Sequence, residues 1–105
     1  MNLGYIIKRL RASRGLNQQA LGEIIGISQT SLSMIESGVT HPKSSTLNKI
    51  CKTLEIPESF LYFLAVGEED IPEEKRDLYK ALEPALKSMI LQLVGEDLLI
   101  LEKKH

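Results

Sequence analysis

The sequence predicts an all-α fold, and three observations carry that expectation. Apolar residues recur at spacings of three and four along most of the chain, and strand-type alternation is nearly absent. Gly, Pro, Asn and Ser fall between the apolar runs, where helices start and stop. These signals divide the chain into five short helices over residues 1–66, an acidic linker and helix start over 67–77, and a helical arm over 78–105. With 105 residues, 43% of them apolar, the chain suits one small domain with an appendage.

Leu3, Ile6, Ile7 and Leu10 sit at i, i+3, i+4 and i+7 and predict an amphipathic helix that ends near residues 13–15. Asn17 is placed to cap a second helix carrying Leu21, Ile24 and Ile25, with Gly26 to stop it. Ser28 is placed to cap a third, with Leu32 and Ile35 inward and Gly38 as the terminator. Pro42, in the loop VTHPK, opposes continuation. Ser44 or Ser45 is expected to cap a fourth helix bearing Leu47, Ile50, Cys51 and Leu54. Pro57 suits the first turn of a fifth, with Phe60, Leu61, Phe63 and Leu64 as its apolar side.

The stretch GEEDIPEEKRD reads as a linker merging into a helix start, with Pro72, Glu73 and Glu74 in the first turn, where carboxylates oppose the helix dipole. Leu78, Leu82, Leu86, Met89, Ile90 and Leu93 then form a long apolar stripe. Pro84 is expected to kink or split it, and Gly95 to end it. Such a stripe does not stay in water: it folds back on the first five helices or meets its copy in a second chain. Because the first 66 residues are expected to close a bundle by themselves, dimerisation is the favoured outcome. The segment DLLILEKK reads equally well as a strand, a helical turn or a tail.

A net charge of −1 conceals an asymmetry. Residues 1–66 hold seven Lys/Arg against four Asp/Glu, a balance of +3, whereas residues 67–105 hold six against ten, a balance of −4. Such a split fits a front half that meets a polyanion, and it fits two ordinary solvated faces equally well. MNLGYIIKRLRAS is too charged for a signal peptide, and no apolar run approaches membrane-spanning length, so a cytoplasmic location is expected. The lone Cys51 excludes a disulfide framework and a cysteine metal cluster. There is no HExxH, no glycine-rich phosphate loop and no Cys/His pair at nucleophile spacing, so no catalytic residue, metal or cofactor is expected.

The third helix raises the functional question. With Leu32 at zero on a helical wheel, Ile35 falls at about −60° and Glu36 at about +40°. Thr30 and Met34 lie almost opposite, Ser33 and Ser37 flank one side, Ser31 flanks the other, and Gln29 projects from the first turn. The outer face is small, uncharged and rich in hydrogen-bonding groups, which suits the DNA major groove: amides and hydroxyls pair with base edges, and methyl groups pack on thymine. From Gln18 to Gly38 the pattern is helix, tight turn at Gly26, Ile27 and Ser28, then helix, with Gly22 letting the two helices approach closely.

The stretch NQQALGEIIGISQTSLSMIESGVTHP resembles the Cro/C1-type, or XRE-type, family of bacterial and phage DNA-binding domains. The matching features are Gln18, Leu21, the Gly26–Ile27–Ser28–Gln29 turn, Leu32–Ser33, Ile35–Glu36, Gly38 and Pro42. The flanking LGYIIKRLRASRGL and SSTLNKICKTLEIPESFL also match, so the resemblance spans residues 3–65. It implies a five-helix Cro/C1 (lambda repressor-like) bundle followed by a C-terminal dimerisation arm, and a third helix that reads bases through Gln29, Thr30 and Met34, with Ser31 and Ser33 as lesser contacts. It further implies that Asn17 and Gln18 hold a phosphate at the start of the second helix, with Ser37, Thr40 and Lys43 along the DNA backbone. Arg11 and Glu36 would form a structural ion pair. Met34 stands where the family often carries Arg or Lys, so phosphate affinity per subunit is expected to be modest.

The resemblance thus implies a homodimeric transcriptional regulator, in the repressing mode, on an inverted-repeat operator in double-stranded DNA. The alternative is an antitoxin or protein-interaction module whose C-terminal arm binds a different protein.

Overall fold

The computed structural model describes residues 1–95; residues 96–105, which include DLLILEKK, lie outside the described part. α1 (Leu3–Ser13) buries Leu3, Ile6, Ile7 and Leu10, the face that the spacing selects. α2 (Gln18–Ile25) starts where the Asn17 side chain accepts the Ala20 N–H at 2.7 Å. It stops at Gly26, whose φ of +79° turns the chain so that the N–H groups of Gly26 and Ile27 both reach the Gly22 carbonyl, at 2.8 and 2.9 Å. α3 (Gln29–Glu36) is capped by the Ser28 hydroxyl, which accepts the Ser31 N–H at 3.0 Å.

α4 (Ser44–Leu54) corrects one expectation: neither Ser44 nor Ser45 is its cap. The extended residue ahead of the helix is Lys43, which makes no side-chain cap bond, because the buried Pro42 fixes the loop one position earlier. α4 ends at Glu55, which takes the left-handed conformation at φ +58°. Pro57 stands immediately before α5 (Glu58–Ala65) and not within its first turn. α5 buries Leu61, Leu64 and Ala65, leaving Phe60 and Phe63 half-buried.

The expected helix start at Pro72 is replaced by two single 3₁₀ turns, Glu68–Asp70 and Glu73–Lys75, before α6 (Arg76–Val94) begins. These turns are anchored. The Arg76 Nε donates to the carbonyls of Glu68 and Ile71, the Tyr79 hydroxyl donates to the Val66 carbonyl, and the Met1 ammonium lies 3.0 Å from the Asp70 carboxylate. Pro84 does not split α6. The proline removes the bond to the Lys80 carbonyl, but both residues are exposed, so water can solvate that carbonyl.

α1 packs on α3, α4 and α5, while α2 packs on α3 and α4. Ile7, Leu10, Leu21, Leu32, Ile50, Leu54 and Leu61 are all essentially inaccessible at the centre. Each fully buried side chain of this kind contributes about 1.5–3 kcal/mol. Leu91 and Val94 of α6 join the same core, so the five N-terminal helices do not close it by themselves. α6 therefore uses two sides. Leu91 is buried and Ile90 is packed against the core, whereas Leu78, Leu82, Leu86, Met89 and Leu93 are 41–74% exposed. Ile90 thus leaves the expected stripe for the docked side, with the other five facing water.

Candidate nucleic-acid interface

The orientation of α3 is set by one buried carboxylate. Glu36 is 6% exposed, and its two oxygens receive the Arg11 guanidinium in a fork, Nε to Oε2 at 2.7 Å and Nη2 to Oε1 at 3.0 Å. The Gln18 amide adds a third bond, Nε2 to Oε1 at 3.0 Å. Arg11 spends its remaining Nη1 on the Leu16 carbonyl at 2.8 Å, at the α1–α2 turn. One acid therefore ties α1, α2 and α3 together with charge-assisted, bidentate geometry. No buried side-chain polar atom among the described residues lacks a partner.

Two glycines let the backbones close in. A Cβ on Gly22 would lie 2.7 Å from the Ile27 carbonyl oxygen, so the α2–α3 turn requires glycine there. A Cβ on Gly4 would meet the carbonyl oxygens of Ile35 and Glu36, the latter at 2.7 Å. Gly4 thus seats α1 on the end of α3, a contact that no helix signal in the sequence reveals.

With its inner side held, α3 turns Gln29, Thr30, Ser31, Ser33, Met34 and Ser37 to solvent. Met34 is 38% exposed, and this face carries no charged side chain. Thr40 and Lys43, both exposed, stand beside it in the loop. There the N–H groups of Val39 and Thr40 bond the Met34 carbonyl at 2.9 and 3.2 Å. A shallow concavity bounded by Ser31, Met34, Thr40, His41, Lys43 and Thr46 runs along this side of the helix. Asn17 is exposed at the start of α2 with its side chain occupied by the cap. Gln18 is half-buried with its side chain on Glu36, so a phosphate at this helix end would meet backbone N–H groups.

Sequence reasoning missed Arg14. It is a half-buried side chain held by backbone: its Nε donates to the Leu54 carbonyl at 3.0 Å and its Nη2 to the Val94 carbonyl at 2.6 Å. These partners lie 40 and 80 positions away, where local periodicity carries no signal. Cys51 is buried, and burial pushes its thiol up to about 11. Ile24 is 59% exposed on α2, away from the core that its neighbour Ile25 enters. Among the described residues no cluster of three His, Cys, Asp or Glu could hold a metal, and no helix is long and apolar enough to cross a membrane.

A capped pair of helices joined at a left-handed glycine, with an uncharged outer face on the second, is a helix-turn-helix. The chain belongs to the helix-turn-helix family, in its Cro/C1 or XRE form, and matches it over residues 7–61. It is 33% identical over 58 residues to YgzD of Bacillus subtilis, an uncharacterized HTH-type transcriptional regulator, across 55% of this chain and 88% of that protein. It is also similar to the crystal structure of the clp gene regulator ClgR from Corynebacterium glutamicum, at a TM-score of 0.61 and 26% identity, covering 82% of this chain and 92% of that one. The protein is a helix-turn-helix transcriptional regulator that binds DNA.

Proposed function

We propose that the protein is a cytoplasmic repressor that binds an inverted-repeat operator as a homodimer, without a cofactor and without catalysis. α3 enters the major groove, where Gln29 and Thr30 contact base edges and Met34 packs on a thymine methyl, with Ser31 and Ser33 beside them. The backbone N–H groups at Asn17 and Gln18, together with Ser37, Thr40 and Lys43, meet the phosphates and set the register. The observation that carries this reading is the uncharged, solvent-facing outer side of α3, held from behind by the Arg11–Glu36–Gln18 cluster. The exposed side of α6 supports the dimer: Leu78, Leu82, Leu86, Met89 and Leu93 form one apolar strip that a second copy can cover. Two copies place two α3 helices on one DNA face, about 34 Å apart.

Selection from a pool of random duplexes, followed by sequencing, tests the reading. The expected result is a two-fold symmetric motif that is lost with Gln29→Ala/Thr30→Ala. Salt-sensitive binding without an enriched motif would reject groove reading.

The same exposed strip supports a second reading, in which α6 binds a different protein, as in an antitoxin or an interaction module. Sedimentation equilibrium of the purified chain separates the two. A concentration-dependent dimer fits the repressor, and a monomer at all concentrations fits the interaction module.

A further inference from the structure

We propose that Arg14 fixes the direction in which α6 leaves the DNA-binding bundle, and thereby the spacing between half-sites that the dimer accepts. The proposal rests on the homodimer reading above. α6 is attached at both ends. Near its start, Tyr79 and Arg76 bond the carbonyls of Val66, Glu68 and Ile71. At its far end, Leu91 and Val94 enter the core, and the Arg14 guanidinium joins the last carbonyl of α6 to the last carbonyl of α4.

Leu54 and Val94 are the last residues of α4 and α6, where carbonyls carry the negative end of the helix dipole, and one cation bonds both. The fit is close: a Cβ on Gly95, the residue after α6, would lie 3.0 Å from the Arg14 Nη1. Arg14 itself sits just past the end of α1, three residues ahead of Asn17 at the start of α2. The residue that anchors the arm therefore borders α2, the helix that packs against α3.

The consequence for operator choice is geometric. The exposed strip of α6 lies about 120–180° around the helix from Val94 and Leu91, so the dimer face points away from the docked side. A rotation of α6 on the bundle would be passed to the partner and doubled by the two-fold axis. One base pair added between half-sites rotates them by about 35° and separates them by about 3.4 Å. An arm clamped at both ends cannot follow that change, whereas an arm whose far end keeps only the Leu91 and Val94 packing, which is apolar and non-directional, can pivot on it.

The test is selection from the random-duplex pool with wild type, Arg14→Leu and Arg14→Lys, scored for half-site sequence and half-site separation independently. Wild type is expected to enrich one separation at least about tenfold over separations one base pair longer or shorter. Arg14→Leu is expected to keep the half-site sequence and lose that preference to within about threefold. Arg14→Lys retains the charge but not the planar fork that reaches two carbonyls, and is expected to behave like Arg14→Leu. Sedimentation must find both variants dimeric and circular dichroism must find them folded. A single sharp separation retained by Arg14→Leu, restoration by Arg14→Lys, or loss of the half-site sequence itself would overturn the proposal. Absence of any paired motif with wild type would instead remove the homodimer reading, and the proposal with it.

Discussion

Glu36 is the residue that sets the orientation of α3, because its carboxylate is buried and three donors from two other helices meet it. A buried charge with its partner removed is costly, whereas loss of both members leaves no orphan. Arg11→Met is therefore expected to destabilise the fold by about 3–5 kcal/mol in urea titration. Arg11→Met/Glu36→Leu should cost clearly less than the sum of its single changes, and additive losses would count against the coupling. That Glu36 faces inward was legible from its place beside Leu32 on the helical wheel. The involvement of Gln18 was not, because Gln18 sits in the first turn of another helix, where a phosphate role and an inward role look the same in sequence. Cys51 supplies a second residue-scale prediction. Its thiol is raised from 9.0 to about 11 chiefly by burial, with Glu58 adding to the shift. The sign is that of an acid favoured in its neutral form, so this contribution to stability is complete below pH 9.0 and is lost as the pH rises toward about 11. Near neutral pH a disulfide reagent should label the native thiol at least about a hundredfold more slowly than the thiol in guanidinium chloride.

Helix ends and helix contacts decide what happens at the next scale. Gly4→Ala would press a methyl group on the carbonyls at the end of α3, so a loss of about 1–3 kcal/mol is expected in thermal or urea unfolding. Glu55 invites the opposite change. It is a non-glycine residue in the left-handed region and a carboxylate at the negative end of α4, so Glu55→Gly should stabilise by up to about 1 kcal/mol. A lower melting temperature for that variant would show that Glu55 makes a compensating interaction. The first five helices were legible because their apolar spacing and their Asn17, Ser28 and Gly26 signals agree with one another. Where signals competed, tertiary packing decided. Ser44 and Ser45 were both good caps in sequence, yet the buried Pro42 placed the helix start so that neither serves. Pro84 looked like a break, yet it and Lys80 are both exposed, ahead of the stretch where α6 docks, so a lost backbone bond is tolerated.

For the molecule as a whole, α6 is both core and surface. Leu91 and Val94 complete the bundle, and five apolar side chains on another side remain exposed. Local spacing put Leu93 on the stripe and Leu91 on the other side of the helix, but it could not say which side would dock, and the longer stripe is the one left exposed. If the exposed strip joins two copies, Leu82→Glu/Leu86→Glu should shift the protein to monomer in sedimentation equilibrium while the helical circular dichroism and melting temperature stay nearly unchanged. A large fall in melting temperature would mean instead that these side chains stabilise the single chain. The most direct test of the central claim is fluorescence anisotropy with the selected duplex and a scrambled one, titrated with wild type and with Gln29→Ala/Thr30→Ala. Wild type should prefer the selected duplex by at least about 10³. The double variant should lose most of that preference with an unchanged salt dependence, since neither residue is assigned to a phosphate. Equal affinity of wild type for both duplexes, or a double variant that discriminates as well as wild type, would contradict the account.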